Sequence, residues 1–79
     1  MTLDDAIKQI QLTIKAVSVG SEIKSVKISD EEARLSVYAP VADMQKIKDV
    51  TFQPVMDFLV KGLDIQVFVY DKDNPVATA

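Results

Sequence analysis

The side chains with the widest chemical reach in this chain are three aromatics, Tyr38, Phe68 and Tyr70. Aromatic rings stack on one another or on nucleobases, hold a cation over their face, and anchor protein interfaces. Phe68 and Tyr70 lie in the stretch Asp64-Ile65-Gln66-Val67-Phe68-Val69-Tyr70-Asp71. Ile65, Val67 and Val69 form one row of that stretch, and Gln66, Phe68 and Tyr70 form the other. A strand covered on one face alternates apolar with polar residues. This one is apolar on both sides, so either both faces are covered or one displays an aromatic patch that binds something.

Other chemistry is poorly supplied. The chain has no histidine and no cysteine, which removes the usual general base, the commonest metal ligand and thiolate chemistry. Gly20 and Gly62 are the only glycines, too few for a phosphate loop or a dinucleotide fingerprint. Asp71 and Asp73 match the first and third positions of a calcium loop. The sixth position needs glycine and here is Val76, while the fifth is Pro75. Asp30-Glu31-Glu32 reads as a solvated turn that discourages edge pairing, with weak cation binding as the other reading. Asp57 and Asp64 read as helix-surface and strand-edge carboxylates that nothing pairs for acid–base work. No enzyme is expected, and no metal or cofactor.

The whole composition is that of one small domain. The chain has 79 residues, 48% hydrophobic and 27% charged, with net charge −3. That is near the lower size for folding on a single core, and without disulfides the stability must come from packing, with oligomerisation as an optional supplement. The net charge argues against duplex DNA or an anionic membrane as main partner. No apolar run approaches a membrane span, and Met1-Thr2-Leu3-Asp4-Asp5 lacks the basic start of a secretory signal. The absence of cysteine fits a reducing cytoplasm, the expected location.

The elements that must position the aromatics follow from periodicity. Leu3, Ile7, Ile10, Ile14 and Val17 predict an amphipathic helix over 2–17, with Thr2 as N-cap and Asp5 completing a capping box. Leu12 lies opposite that stripe, as a lone exposed leucine or a contact with a second chain. The segment Glu22–Ser29 predicts a strand with Val26 and Ile28 inward and Lys27 outward; Ile23 breaks that parity, so the first residues either lie outside the regular ladder or contain a bulge. Ala33–Ala39 alternates with Leu35, Val37 and Ala39 inward and Arg34, Ser36 and Tyr38 outward, so the two strands form an antiparallel hairpin. Pro40 ends the second. Residues 41–63 are helical in character, with Asp43 as N-cap and Met44, Ile47, Thr51, Val55 and Phe58 on one stripe. Pro54 removes a helix hydrogen bond and restricts Gln53, so two helices, 43–51 and 54–61, are favoured over one kinked helix. Gly62 ends the helical region. The strand 64–71 follows, and 72–79 reads as a flexible tail.

The expected fold is therefore a single α+β domain over 1–79, an α-β-β-α(α)-β two-layer sandwich. Its three-stranded mixed sheet has the helices on one face and its last two strands parallel. This order is similar to the type II KH fold, to ribosome-binding factor A and to the C-terminal domain of NifU-type scaffolds. The KH family's Gly-x-x-Gly loop has no counterpart, because the matching place reads Val50-Thr51-Phe52-Gln53-Pro54. The NifU-type Cys-x-x-Cys pair is also missing. The resemblance implies a fold and carries over no functional residue.

The open sheet face would carry Tyr38, Phe68 and Tyr70, three of the chain's five aromatic residues. The expected function is binding without catalysis, to another protein or to a second copy, through those three residues. Met56 and Val60 on the second helical segment supply a further surface. Phe68→Ala with Tyr70→Ala would reduce self-association if the sheet face were a dimer interface. The alternative is weak binding of RNA or single-stranded nucleic acid, with Lys24, Lys27 and Arg34 holding phosphates. A carboxylate enzyme is the last reading.

Overall fold

The computed structural model describes residues 2–73, in the order α1 (Leu3–Val17), β1 (Glu22–Lys27), β2 (Glu32–Ala39), α2 (Val41–Val60), β3 (Asp64–Asp71). The tail expected over 72–79 lies outside the described residues from 74 onward; Lys72 and Asp73 form a turn. The fold is the expected α+β arrangement. Strand β2 is central, antiparallel to β1 and parallel to β3.

Helix α1 starts where the sequence says. The Asp5 N–H donates to Thr2 Oγ1 at 3.2 Å, and the Thr2 N–H donates to Asp5 Oδ2 at 3.3 Å. This reciprocal pair satisfies two of the amides that a helix start leaves without partners. Leu3, Ala6, Ile7, Ile10 and Ile14 are buried, and they meet Ala33, Leu35, Val37 and Ala39 of β2 together with Ile65, Ile47 and Phe58 in one core.

Strand β1 has the opposite parity to that expected. Ile23 pairs with Val37, Ser25 with Leu35 and Lys27 with Ala33, so those three face the helices. Val26 pairs with Arg34 and is 59% exposed on the open side. There is no bulge in the register. In a hairpin the turn fixes the register: here the Ile28 and Ser29 N–H groups both donate to the Glu32 carbonyl, at 2.9 and 3.1 Å, and the ladder that follows sets Ile23 opposite Val37. Ile23 is the residue of β1 that packs on the core, whereas Lys27 ends at the sheet margin, where its Nζ reaches Asp4 Oδ1 of α1 at 3.3 Å.

The second helical region is one helix, not two. Pro54 lies inside α2. Ile47, Thr51 and Phe58 are buried on one stripe, with Val55 packed against the core. Burying that stripe along the sheet outweighs the hydrogen bond Pro54 cannot give to the Val50 carbonyl. Thr51 Oγ1 donates to the Ile47 carbonyl at 2.7 Å, a back-bond that eases a helix into a bend. The cap also differs. Pro40, extended at φ −56° and ψ 143°, holds the N-cap place, and helix begins at Val41. Asp43 instead accepts from Ser18 Oγ at 2.8 Å, tying the end of α1 to the start of α2. At the other end Gly62 has φ +88°. Its N–H donates to the Leu59 carbonyl at 3.0 Å, and the Leu63 N–H donates to the Phe58 carbonyl at 2.9 Å. These two bonds make a Schellman motif, for which the left-handed glycine is the requirement.

Candidate functional site

The open face of the sheet is built from the outward parity of each strand. The ladder registers set three rows across it: Glu22–Tyr38–Tyr70, Lys24–Ser36–Phe68 and Val26–Arg34–Gln66. The central strand contributes a small Ser36 between Tyr38 and Arg34, which leaves room for larger neighbours to lean inward. The Tyr38 and Tyr70 rings stack, with centroids 5.3 Å apart and planes at 23°. Lys24 Nζ lies 5.6 Å from the Tyr38 ring centroid. Arg34 Cζ lies 5.6 Å from the Phe68 ring centroid, and Phe68 is 41% exposed. Each contact is within cation–π range, where such pairs contribute about 0.5–1 kcal/mol at exposed sites.

Charge is unevenly spread over this face. Lys24 and Arg34 flank the aromatics, and Lys72 lies beside Tyr38 with Lys24 and Glu22. Its Nζ donates to the Gly20 carbonyl at 3.0 Å. Glu32 pairs in register with Asp64 at the opposite end, next to Asp30 and Glu31. The face therefore carries both signs, with Lys24 and Arg34 between Glu22 at one end and Glu32 and Asp64 at the other.

The structure thus brings Tyr38, Phe68 and Tyr70 together, with Lys24 and Arg34. It does not bring Lys27 to them, because the parity of β1 turns Lys27 to the helix side. Met56 lies off the sheet face, in a groove of about 420 Å³ between α2 and β3 that takes in Phe52, Val55 and Val67 and shares Phe68 with the aromatic cluster. Val60 is 86% exposed near the C-terminal end of α2 and does not line that groove. Phe52, 67% exposed, and Lys72 were not among the expected site residues. Phe52 precedes Met56 by four, so a helix read straight through Pro54 would have placed both on one face. Leu12 lines a second groove, with Ile23, Lys8 and Lys15, between α1 and β1.

Asp71 Oδ1 accepts from the Asp73 N–H at 2.9 Å and closes its own turn. Among the described residues no three Asp or Glu side chains converge as metal ligands, and no helix is long and apolar enough to cross a membrane. Where the resemblance to KH folds would put a loop, Val50–Pro54 is helix interior. Compared with known protein families, curated proteins and solved structures, the chain matches none.

Proposed function

We propose that this protein works by binding, without catalysis, and that the open sheet face captures a segment of another protein. The observation that carries this reading is the cluster of Lys24 on Tyr38, Tyr38 on Tyr70 and Arg34 on Phe68. Tyr, Phe and Arg are the residue types that interface cores favour. Three strands about 4.8 Å apart and roughly 26 Å long give a face of about 370 Å². That is half of what a standard interface takes from one partner, about 800 Å², and suits a short segment. The mixed charge of the face favours a segment carrying both signs. A cysteine-free chain is compatible with a reducing compartment, and the cytoplasm is the location we assign.

The test uses a displayed random-peptide library, selected on the wild-type protein and on Phe68→Ala/Tyr70→Ala. Peptides enriched on the wild type are expected to lose about tenfold or more in affinity on the double variant. Equal affinity for both overturns the reading. Single-stranded nucleic acid is the second reading, favoured by Lys24 and Arg34 standing directly over rings that could stack bases. Fluorescence anisotropy with mixed-sequence single strands at low salt, where electrostatics are strongest, decides it. No binding there removes it.

A further inference from the structure

Among the described residues, the outer edge of β3 is a strand edge without the usual protection. The Asp64 N–H donates to the Glu31 carbonyl and the Lys72 N–H to the Ala39 carbonyl, both at 2.8 Å. Backbone groups of successive strand residues point to alternate sides. The even-numbered residues of β3 therefore bond β2, and Ile65, Val67 and Val69 turn their N–H and C=O groups outward. No described segment pairs with them. Natural sheets blunt such edges with charge. Strand β1, the other edge, has Glu22, Lys24 and Lys27 along it. Between Asp64 and Asp71 β3 has none. Beside it, on the helix side, stand the exposed Phe52 and Met56.

We infer that a second copy of this chain pairs with β3 antiparallel, about a two-fold axis through Val67, and joins two sheets into one of six strands. The register follows from the residues. Val67 lies opposite the partner's Val67, and Ile65 lies opposite the partner's Val69, so the helix-side row continues apolar across the axis. These pairs exchange about six backbone hydrogen bonds. On the open side Gln66 meets the partner's Phe68 and Asp64 meets the partner's Tyr70, so no charge faces a like charge. A shift to an axis through Phe68 would instead set Asp71 against the partner's Ile65.

Area decides between this edge and the open face as the surface for a second copy. Two open faces laid together bury about 740 Å², in the range of casual crystal contacts. The edge is roughly 26 Å long and about 20 Å deep through sheet and helix. Both copies together then bury about 1,000 Å², the lower limit of a specific interface. The paired sheets also present one continuous open face of about 740 Å², near the standard contribution of one partner. The dimer stands independently of what that face binds.

Sedimentation equilibrium and concentration-dependent amide exchange test this together. Wild type is expected to dimerise with a Kd of ~1–100 µM, given the small area. The Ile65, Val67 and Val69 amides are expected to gain protection as the dimer fills. Phe52→Glu is expected to raise Kd about tenfold or more with an unchanged circular dichroism spectrum. Val67→Pro, which removes an outward N–H and no bond to β2, is expected to do the same. A wild type that stays monomeric to its solubility limit overturns the inference and leaves the sheet-face reading standing. A dimer whose three amides stay unprotected, and which Phe68→Ala dissociates while Phe52→Glu does not, overturns it in favour of face-to-face pairing.

Discussion

Replacing Pro54 by alanine is expected to stabilise the protein. Pro54 lies inside α2, thirteen residues beyond its start at Val41 and six before its end at Val60, so its penalty is that of a helix interior. Proline there costs about 3 kcal/mol relative to alanine, through the missing N–H and the clash with the carbonyl four residues back. Part of this is offset, because proline also restricts the unfolded chain, by about 0.4–1 kcal/mol. The net gain expected is about 2 kcal/mol. A chain of this size shifts its melting temperature by about 4–8 °C per kcal/mol, so Tm rises by about 8–16 °C. Its urea midpoint rises by about 1–2 M. Phe52 and Met56, which flank Pro54 on one face, keep their places, so the proposed dimer is expected to be unaffected. Thermal and urea unfolding by circular dichroism measure the effect. A Pro54→Ala protein that is equally stable or less stable refutes the single continuous helix, since separate helices would have no interior bond to regain.

The remaining predictions concern the elements around the site. Ile23→Ser is expected to cost about 1–3 kcal/mol and Val26→Ser under about 0.5 kcal/mol, because only Ile23 packs on the core; equal costs in urea unfolding would restore the opposite parity of β1. Thr2→Ala removes the side-chain half of the capping box and is expected to lower stability by about 1 kcal/mol. A double-mutant cycle of Tyr38→Ala and Tyr70→Ala is expected to give a coupling of about 0.5–1.5 kcal/mol from the ring stack, and a coupling near zero would show that the rings do not meet in solution.

Much of the fold was legible because local and tertiary signals agreed. Helix α1 carries its stripe, its capping box and its charges in one reading. Strand β2 alternates without exception, and Gly62 marks a helix end where left-handed backbone is required. The failures fall where one local signal opposed a tertiary one. In β1, Val26 and Ile28 outnumber Ile23, yet the turn bonds from Ile28 and Ser29 to Glu32 fix the register, which a count of apolar residues along one strand does not reveal. At Pro54 local chemistry argued for a break, and the buried stripe Ile47–Thr51–Phe58 prevailed. Asp43 has good N-cap chemistry, but the chain turns at Pro40, and the carboxylate serves a tertiary bond to Ser18. In the site, Tyr38, Phe68 and Tyr70 were readable from strand parity alone. The expected parity of β1 put Lys27 on the open face and would have turned Lys24 inward; the observed register exchanges them. Phe52 was obscured by the break expected at Pro54.

Aromatic side-chain NMR gives the most direct test of the proposed binding face. A peptide enriched on the wild-type protein is titrated while the ring signals of Tyr38, Phe68 and Tyr70 and the Lys24 and Arg34 side-chain signals are followed. The expected result is that all five move together and saturate at one affinity, with Leu12 and Ile23 unmoved. Shifts confined to the Leu12–Ile23 groove, with the three rings unchanged, would contradict the assignment of the sheet face as the binding surface.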